Sequence, residues 1–174
     1  MKIIARLPIA LLALVFVSAN AAESNFVEEV RKHELQLQDC YNSEEFYKDP
    51  AICLKFWIDR DDAHIYDVMK YKTDDPARPG EFSGAAFREH FIKLGQQAPG
   101  KVKFVNMKIY ADNKYAFVIY YQHLVGKDKA GKAFDFYMQT TDGLEKVKGA
   151  WYVVHSHMSL PMDESAFEKM FVEN

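Results

Sequence analysis

The sequence predicts an α+β fold, with about three helices packed against a curved antiparallel sheet. Three observations predict it. Apolar residues recur at helical spacing in separate segments as far as Leu94. Beyond Pro99 the period changes to that of strands, in four long runs rich in Phe, Tyr, Val and Ile. Short turns separate those runs, as an antiparallel meander requires. Helices gathered before strands, rather than alternating with them, place the helices on one face of the sheet.

Residues 1–21 read as a secretory signal peptide. Lys2 and Arg6 form a positive start, Leu7 to Val17 is an apolar run broken by Pro8, and Ala19-Asn20-Ala21 offers small residues for cleavage. The uncharged stretch after Arg6 is about 15 residues, short of the ~20 that a spanning helix needs, so no stable membrane anchor is expected. The expected product is one domain, residues 22–174, in the periplasm or outside the cell. Losing Lys2 and Arg6 leaves 20 basic against 25 acidic side chains in that domain. An acidic chain lacks the positive field that holds a phosphate backbone, which excludes nucleic acid as a partner. An oxidising compartment favours pairing of the only two cysteines, Cys40 and Cys53.

Each element has its own signal. Phe26, Val30, His33 and Leu37 fall at helical spacing after a capping Ser24, with Glu28 and Glu29 near the helix start. Asp49 and Pro50 are an N-cap and first position for a second helix through Trp57. Ala63 to Lys70 reads as a strand, and Thr73 to Gly80, with two prolines and a glycine, as a loop. Ser83 then precedes a helix whose apolar face is Phe87, Phe91 and Leu94, with Gly95 as its stop. The strands are Lys101 to Ala111, Lys114 to Val125, Ala133 to Val147 and Ala150 to Ser159. A short amphipathic piece, Asp163 to Phe171, closes the chain.

This order, with its ending, resembles the NTF2-like superfamily in its SnoaL-like or ketosteroid-isomerase-like branch. The resemblance rests on Asp61-Asp62-Ala63-His64-Ile65-Tyr66-Asp67, on Gly80-Glu81-Phe82-Ser83-Gly84, and most specifically on Thr141 to Ser159. That last segment carries a Gly-x-Trp turn leading into His155-x-His157-x-Ser159. The association domain of calcium/calmodulin-dependent kinase has a similar ending. The resemblance implies a cone-shaped barrel, a pocket at its wide end, and homodimers formed through the sheet. One departure is Gln139, where relatives often carry Arg. The superfamily hosts isomerases, dehydratases and members that only bind or assemble, so it implies no single reaction.

Candidate chemistry follows strand alternation. His155 and His157 share a face, expected to be that of Trp151 and Val153, and two imidazoles about 7 Å apart on one strand face can donate, accept or clamp. The same pair could instead serve sheet or dimer packing. Asp67 is the carboxylate placed to act as general base. Tyr66, Tyr121, His123, Tyr137, Gln139 and Thr141 would line a ligand pocket if their faces look inward, or form a solvated or dimer-facing surface if they look outward. Asp142 and His90 are weaker candidates. A cupin-like metal reading of the His-x-His segment fails for want of its Glu, and neither a metal nor a cofactor is expected. Nucleophile and phosphate-loop patterns do not occur. The reading is therefore an exported small-molecule-binding homodimer. The alternatives are a cofactor-free lyase or isomerase working by proton transfer, and a structural subunit of an envelope assembly.

Overall fold

A computed structural model describes residues 10–67, 81–97, 100–127 and 131–160, with side chains from residue 25 onward. The 73–80 loop and the 163–171 piece lie outside the described residues. The elements are α1 (Ala10–Tyr41), α2 (Glu44–Lys48), a 3-10 helix (Pro50–Phe56), β1 (His64–Asp67), β2 (Glu81–Ser83), α3 (Gly84–Gln97), β3 (Gly100–Ala111), β4 (Tyr115–Lys127), β5 (Ala133–Val147) and β6 (Ala150–Ser159). No helix among the described residues is long and apolar enough to cross a membrane.

The six strands among the described residues form one curved, unclosed sheet in the order β2-β1-β6-β5-β4-β3. The meander β3 to β6 is antiparallel throughout, as its short turns dictate. The sheet as a whole is mixed, however, because β1 runs parallel to β6. A strand so far from β6 in sequence is not bound by a hairpin to run against it. The β5–β6 turn holds Lys148 and Gly149 at φ 50° and 86°, the left-handed pair that a two-residue hairpin needs.

The helices differ from the sequence expectation in instructive ways. Ser24 does not start a helix, because the Ala- and Leu-rich stretch before it offers no breaker and α1 runs straight through. Asp49 caps as expected, its carboxylate accepting from the Ala51 N–H, but the turn it starts is 3-10 rather than α. Gly95 does not stop α3, which continues to Gln97. It is instead a contact point: a Cβ there would lie 2.7 Å from Pro50 Cβ and 2.8 Å from Phe46 Cζ.

α1 lies against the sheet and is tied at two places. Past its midpoint Glu29 accepts from the Trp151 indole at 3.1 Å and pairs with Lys146. At its end the Asn42 amide imitates a strand, donating to Val102 O at 2.7 Å and accepting from Val102 N at 2.9 Å. Gln38 accepts from Phe104 N. Cys40 and Cys53 form a disulfide between the end of α1 and the 3-10 helix, both sulfurs buried. The core fills the space between: Val30 and Leu37 of α1, Trp57, Phe87 and Phe91, and the inward residues of β3 to β6. Each large side chain there contributes roughly 1.5–3 kcal/mol by leaving water.

Two β-bulges decide which side chains look inward. In β3, Asn106 at φ 56° and Met107 together oppose Tyr120, between the pairs Val105 with Tyr121 and Lys108 with Ile119. In β6, Leu144 pairs with Val153 but Gly143 pairs with His155, so Val154 is an extra residue. The alternation of β6 is therefore reset after Val153.

Candidate functional site

The bulge at Val154 corrects one expectation directly. Trp151 and Val153 face the core, but so do Ser156 and Met158, while His155 is half-buried and His157 exposed on the opposite face. The two histidines share a face with each other and not with Trp151 and Val153. A strict period of two, carried through the strand, cannot anticipate an inserted residue.

The other pocket candidates follow the histidines outward. Cross-strand registers place Tyr66, His157 and Thr141 in one row, Tyr121 and Gln139 in a second, and His123 with Tyr137 in a third. The His123 and Tyr137 rings stack at 4.3 Å, and His123 meets Asp135 at 2.7 Å. Tyr121 and Tyr137 are 37% and 47% exposed. The predicted set is thus gathered into one surface, on the outer face of the sheet rather than around an inner hollow. Asp67 is described by its backbone, which is in register with Met158.

On that outer face His64 and His155 form a linked pair. The Asp62 carbonyl, 2.9 Å from His64 Nδ1, can only accept, so that nitrogen carries a proton. His64 Nε2 and His155 Nδ1 lie 2.8 Å apart, so one ring nitrogen donates to the other. Burial lowers the His155 pKa, and the neighbouring His64 and His157 add to the effect. Among the described residues, no group of three or more His, Cys, Asp or Glu side chains is arranged to hold a metal ion.

The inner face holds a second constellation. Glu34 of α1 and Asp142 of β5 are both fully buried, beside His33, Tyr41, Tyr120 and Ser156. Tyr120 donates to Asp142 Oδ2 at 2.7 Å, and the Ser156 hydroxyl also favours the charged carboxylate. Asp142 Oδ1 and both Glu34 oxygens have no hydrogen-bond partner, and the nearest cationic candidate, His33 Nδ1, stands 3.4 Å from Glu34. Burial pushes the Glu34 carboxyl up to about 8. Burial, then the proximity of Glu34, raises Asp142 to about 7, against the hydrogen bonds of Ser156 and Tyr120. Burial also lowers His33 to about 4, so it is neutral at pH 7. The Tyr41 and Tyr120 phenols are raised by burial and by the Asp142 charge. Burial thus favours the protonated form of both acids, and a protonated carboxyl can donate where an ionised one accepts.

Sequence reasoning passed over Glu34, Tyr41 and Tyr120, although a signal existed. Glu34 lies four residues after Val30 and three before Leu37, squarely on the apolar stripe of α1. A carboxylate in a core-facing helical position is the anomaly to look for. Asp142, alternating with Met138, Thr140 and Leu144, carries the same signal on a strand.

Comparison with known proteins agrees with the fold. The family model for the SnoaL-like domain matches residues 67–163. No curated protein matches the chain. An NTF2-like protein of unknown function from Pseudomonas putida KT2440 is similar at 20% identity and TM-score 0.60, over 83% of this chain and 90% of that one. A putative dehydratase of the NTF2-like family from Streptomyces avermitilis is similar at 11% identity and TM-score 0.60, over 79% and 96%. The association domain of C. elegans CaMKII is similar at 16% identity and TM-score 0.56, over 76% and 93%. With more than half its length matched and its architecture shared with these structures, the chain belongs to the SnoaL-like domain family of the NTF2-like superfamily.

Proposed function

We propose that the chain is an exported protein whose interior binds a small, partly apolar organic molecule against Glu34, Asp142, Tyr120 and Tyr41. The observation that carries this reading is the pair of fully buried carboxyls with unpartnered oxygens in an aromatic interior. Each unpaired buried polar group costs about 1–3 kcal/mol, so a core selected for stability alone would be apolar there. A ring bearing a carbonyl or hydroxyl supplies the missing partners. The neutral Glu34 carboxyl donates to its oxygen, Asp142 Oδ1 accepts from a hydroxyl, and Phe104 and Met138 belong to the surrounding apolar wall. The Cys40–Cys53 bridge favours an oxidising compartment, in keeping with cleavage after Ala21. The outer sheet face, with Tyr121, Tyr137 and the His155–His157 pair, is the homodimer surface in this reading.

The test is isothermal titration calorimetry with 2-naphthol, a small apolar ring carrying one hydroxyl. Binding to the wild-type chain should weaken at least ten-fold in Asp142→Asn and in Tyr120→Phe, each checked for folding by circular dichroism. Unchanged binding in both folded variants, or none in the wild type, overturns the reading.

The poised pKa values favour a second reading, a cofactor-free isomerase. Asp142 takes a proton from the carbon next to a carbonyl while Glu34 protonates the carbonyl oxygen. Asp142 then returns its proton to a different carbon and Glu34 recovers its own. Asp67→Asn is the companion variant, because Asp67 is the base that the sequence suggests. Full turnover of a cyclic enone by Asp142→Asn would exclude this mechanism.

A further inference from the structure

A cleft of about 680 Å³ opens between the 3-10 helix, α3 and the β5–β6 hairpin, away from the buried acids. Its size is that of a small-molecule site. The Trp57 and Phe87 rings, with centroids 4.6 Å apart, form its floor, and Leu54, Ile58 and Val147 extend the apolar surface. Its rim carries Lys55, Arg60, Arg88 and Lys148 beside the carboxylate of Asp59. The two arginines are held in place from outside or from the edge. Arg60 donates to Asp62 at 2.8 and 3.0 Å and to Glu145 at 2.8 Å, and Arg88 pairs with Asp59. Lys55 lies over the Phe56 ring at 5.3 Å, and Lys148 occupies the exposed hairpin turn at φ 50°. Neither lysine is neutralised by a carboxylate among the described residues.

We propose that this cleft binds an amphipathic organic monoanion, with its carboxylate or sulfonate at the Lys55 and Lys148 rim and its apolar body over Trp57 and Phe87. The charge argument is local. The two arginines are balanced by Asp59, Asp62 and Glu145, so the charge left for a ligand is that of Lys55 and Lys148, in a chain whose acidic side chains are in excess. An inorganic anion would satisfy the rim and waste the floor, and a neutral apolar molecule would do the reverse. The proposal stands independently of the interior site.

The experiment compares 4-phenylbutyrate with its neutral counterpart 4-phenyl-1-butanol, by calorimetry on the full chain at low ionic strength. The acid should bind at least ten-fold more tightly than the alcohol and weaken as salt is added. The double variant Lys55→Glu/Lys148→Glu should lose at least ten-fold in affinity for the acid, with its melting temperature held. Lys32→Glu/Lys48→Glu, at exposed positions of α1 and α2, makes the same charge change elsewhere and should bind as the wild type does. Equal affinity for acid and alcohol overturns the proposal, as does undiminished binding by the rim variant. Competition by saturating 2-naphthol would assign both probes to the interior and overturn it as well.

Discussion

Glu34 shows how one side chain can set the pH response of a small domain. Its carboxyl is fully buried and its pKa is raised from the usual range to about 8, chiefly by loss of water. Below about pH 4.5 the carboxyl is protonated in both folded and unfolded chains. As pH rises the unfolded carboxyl ionises freely and the folded one holds its proton, so stability falls from there through about pH 8. Asp142, raised to about 7, acts in the same direction over a slightly lower window. Wild-type protein should therefore be a few kcal/mol less stable at pH 8 than at pH 5, at about 1.4 kcal/mol per unit of displacement. Glu34→Gln keeps the shape and removes one ionisation, so its urea midpoint should change less between those two pH values. A variant with the same pH dependence as the wild type would show that Glu34 is solvated in the native state.

At the scale of elements, the bulge in β6 divides the sheet's two chemistries. Val154 is the residue without a partner, since Val153 and His155 already oppose neighbouring residues of β5. Deleting Val154 should leave Val153 inward and His155 outward, because adjacent residues of a regular strand alternate. Such a deletion should fold, with a loss of roughly 1–3 kcal/mol from altered packing around the straightened strand. Deleting Ser156 instead drives His157 inward and Met158 out, and should abolish cooperative melting. Comparing the two deletions by thermal denaturation checks the register directly, and equal losses would refute it. The same element explains what was legible. The ends of β5 and β6 are clear from Gly149 and the aromatic runs, but a bulge leaves no mark in composition. Strand alternation alone therefore puts the histidines on the face of Trp151 and Val153, from which the bulge separates them.

For the whole molecule, the outer face of the sheet is the main unfinished surface. Phe117 and Tyr137 are each 47% exposed and Tyr115 51%, beside Tyr110 and Tyr121. In the homodimer reading these exposed aromatics are the association surface. The homodimer reading predicts a sedimentation coefficient that falls to the monomer value on dilution. Tyr137→Glu should produce the monomer at concentrations where the wild type is dimeric, without lowering the monomer's own helix and strand content. A wild type that sediments as a monomer at high concentration would leave this face to another partner.

Sequence alone determined the four-strand meander, the capping Asp49 and the pairing of Cys40 with Cys53, because these depend on neighbours in the chain or on the only possible partner. It also named the histidines and tyrosines that come together on the sheet, since strand register follows from turn position. Which face of the sheet is concave was decided only in three dimensions. The bulges at Asn106 and Val154, and the seating of α1 against the strands through Glu29 and through Asn42 just beyond its end, belong to the folded chain. Burial then turned Glu34 and Asp142 from two ordinary acids, over a hundred residues apart, into one poised pair. Desolvation is a property of the packed volume around a group, and no local pattern of residues encodes it.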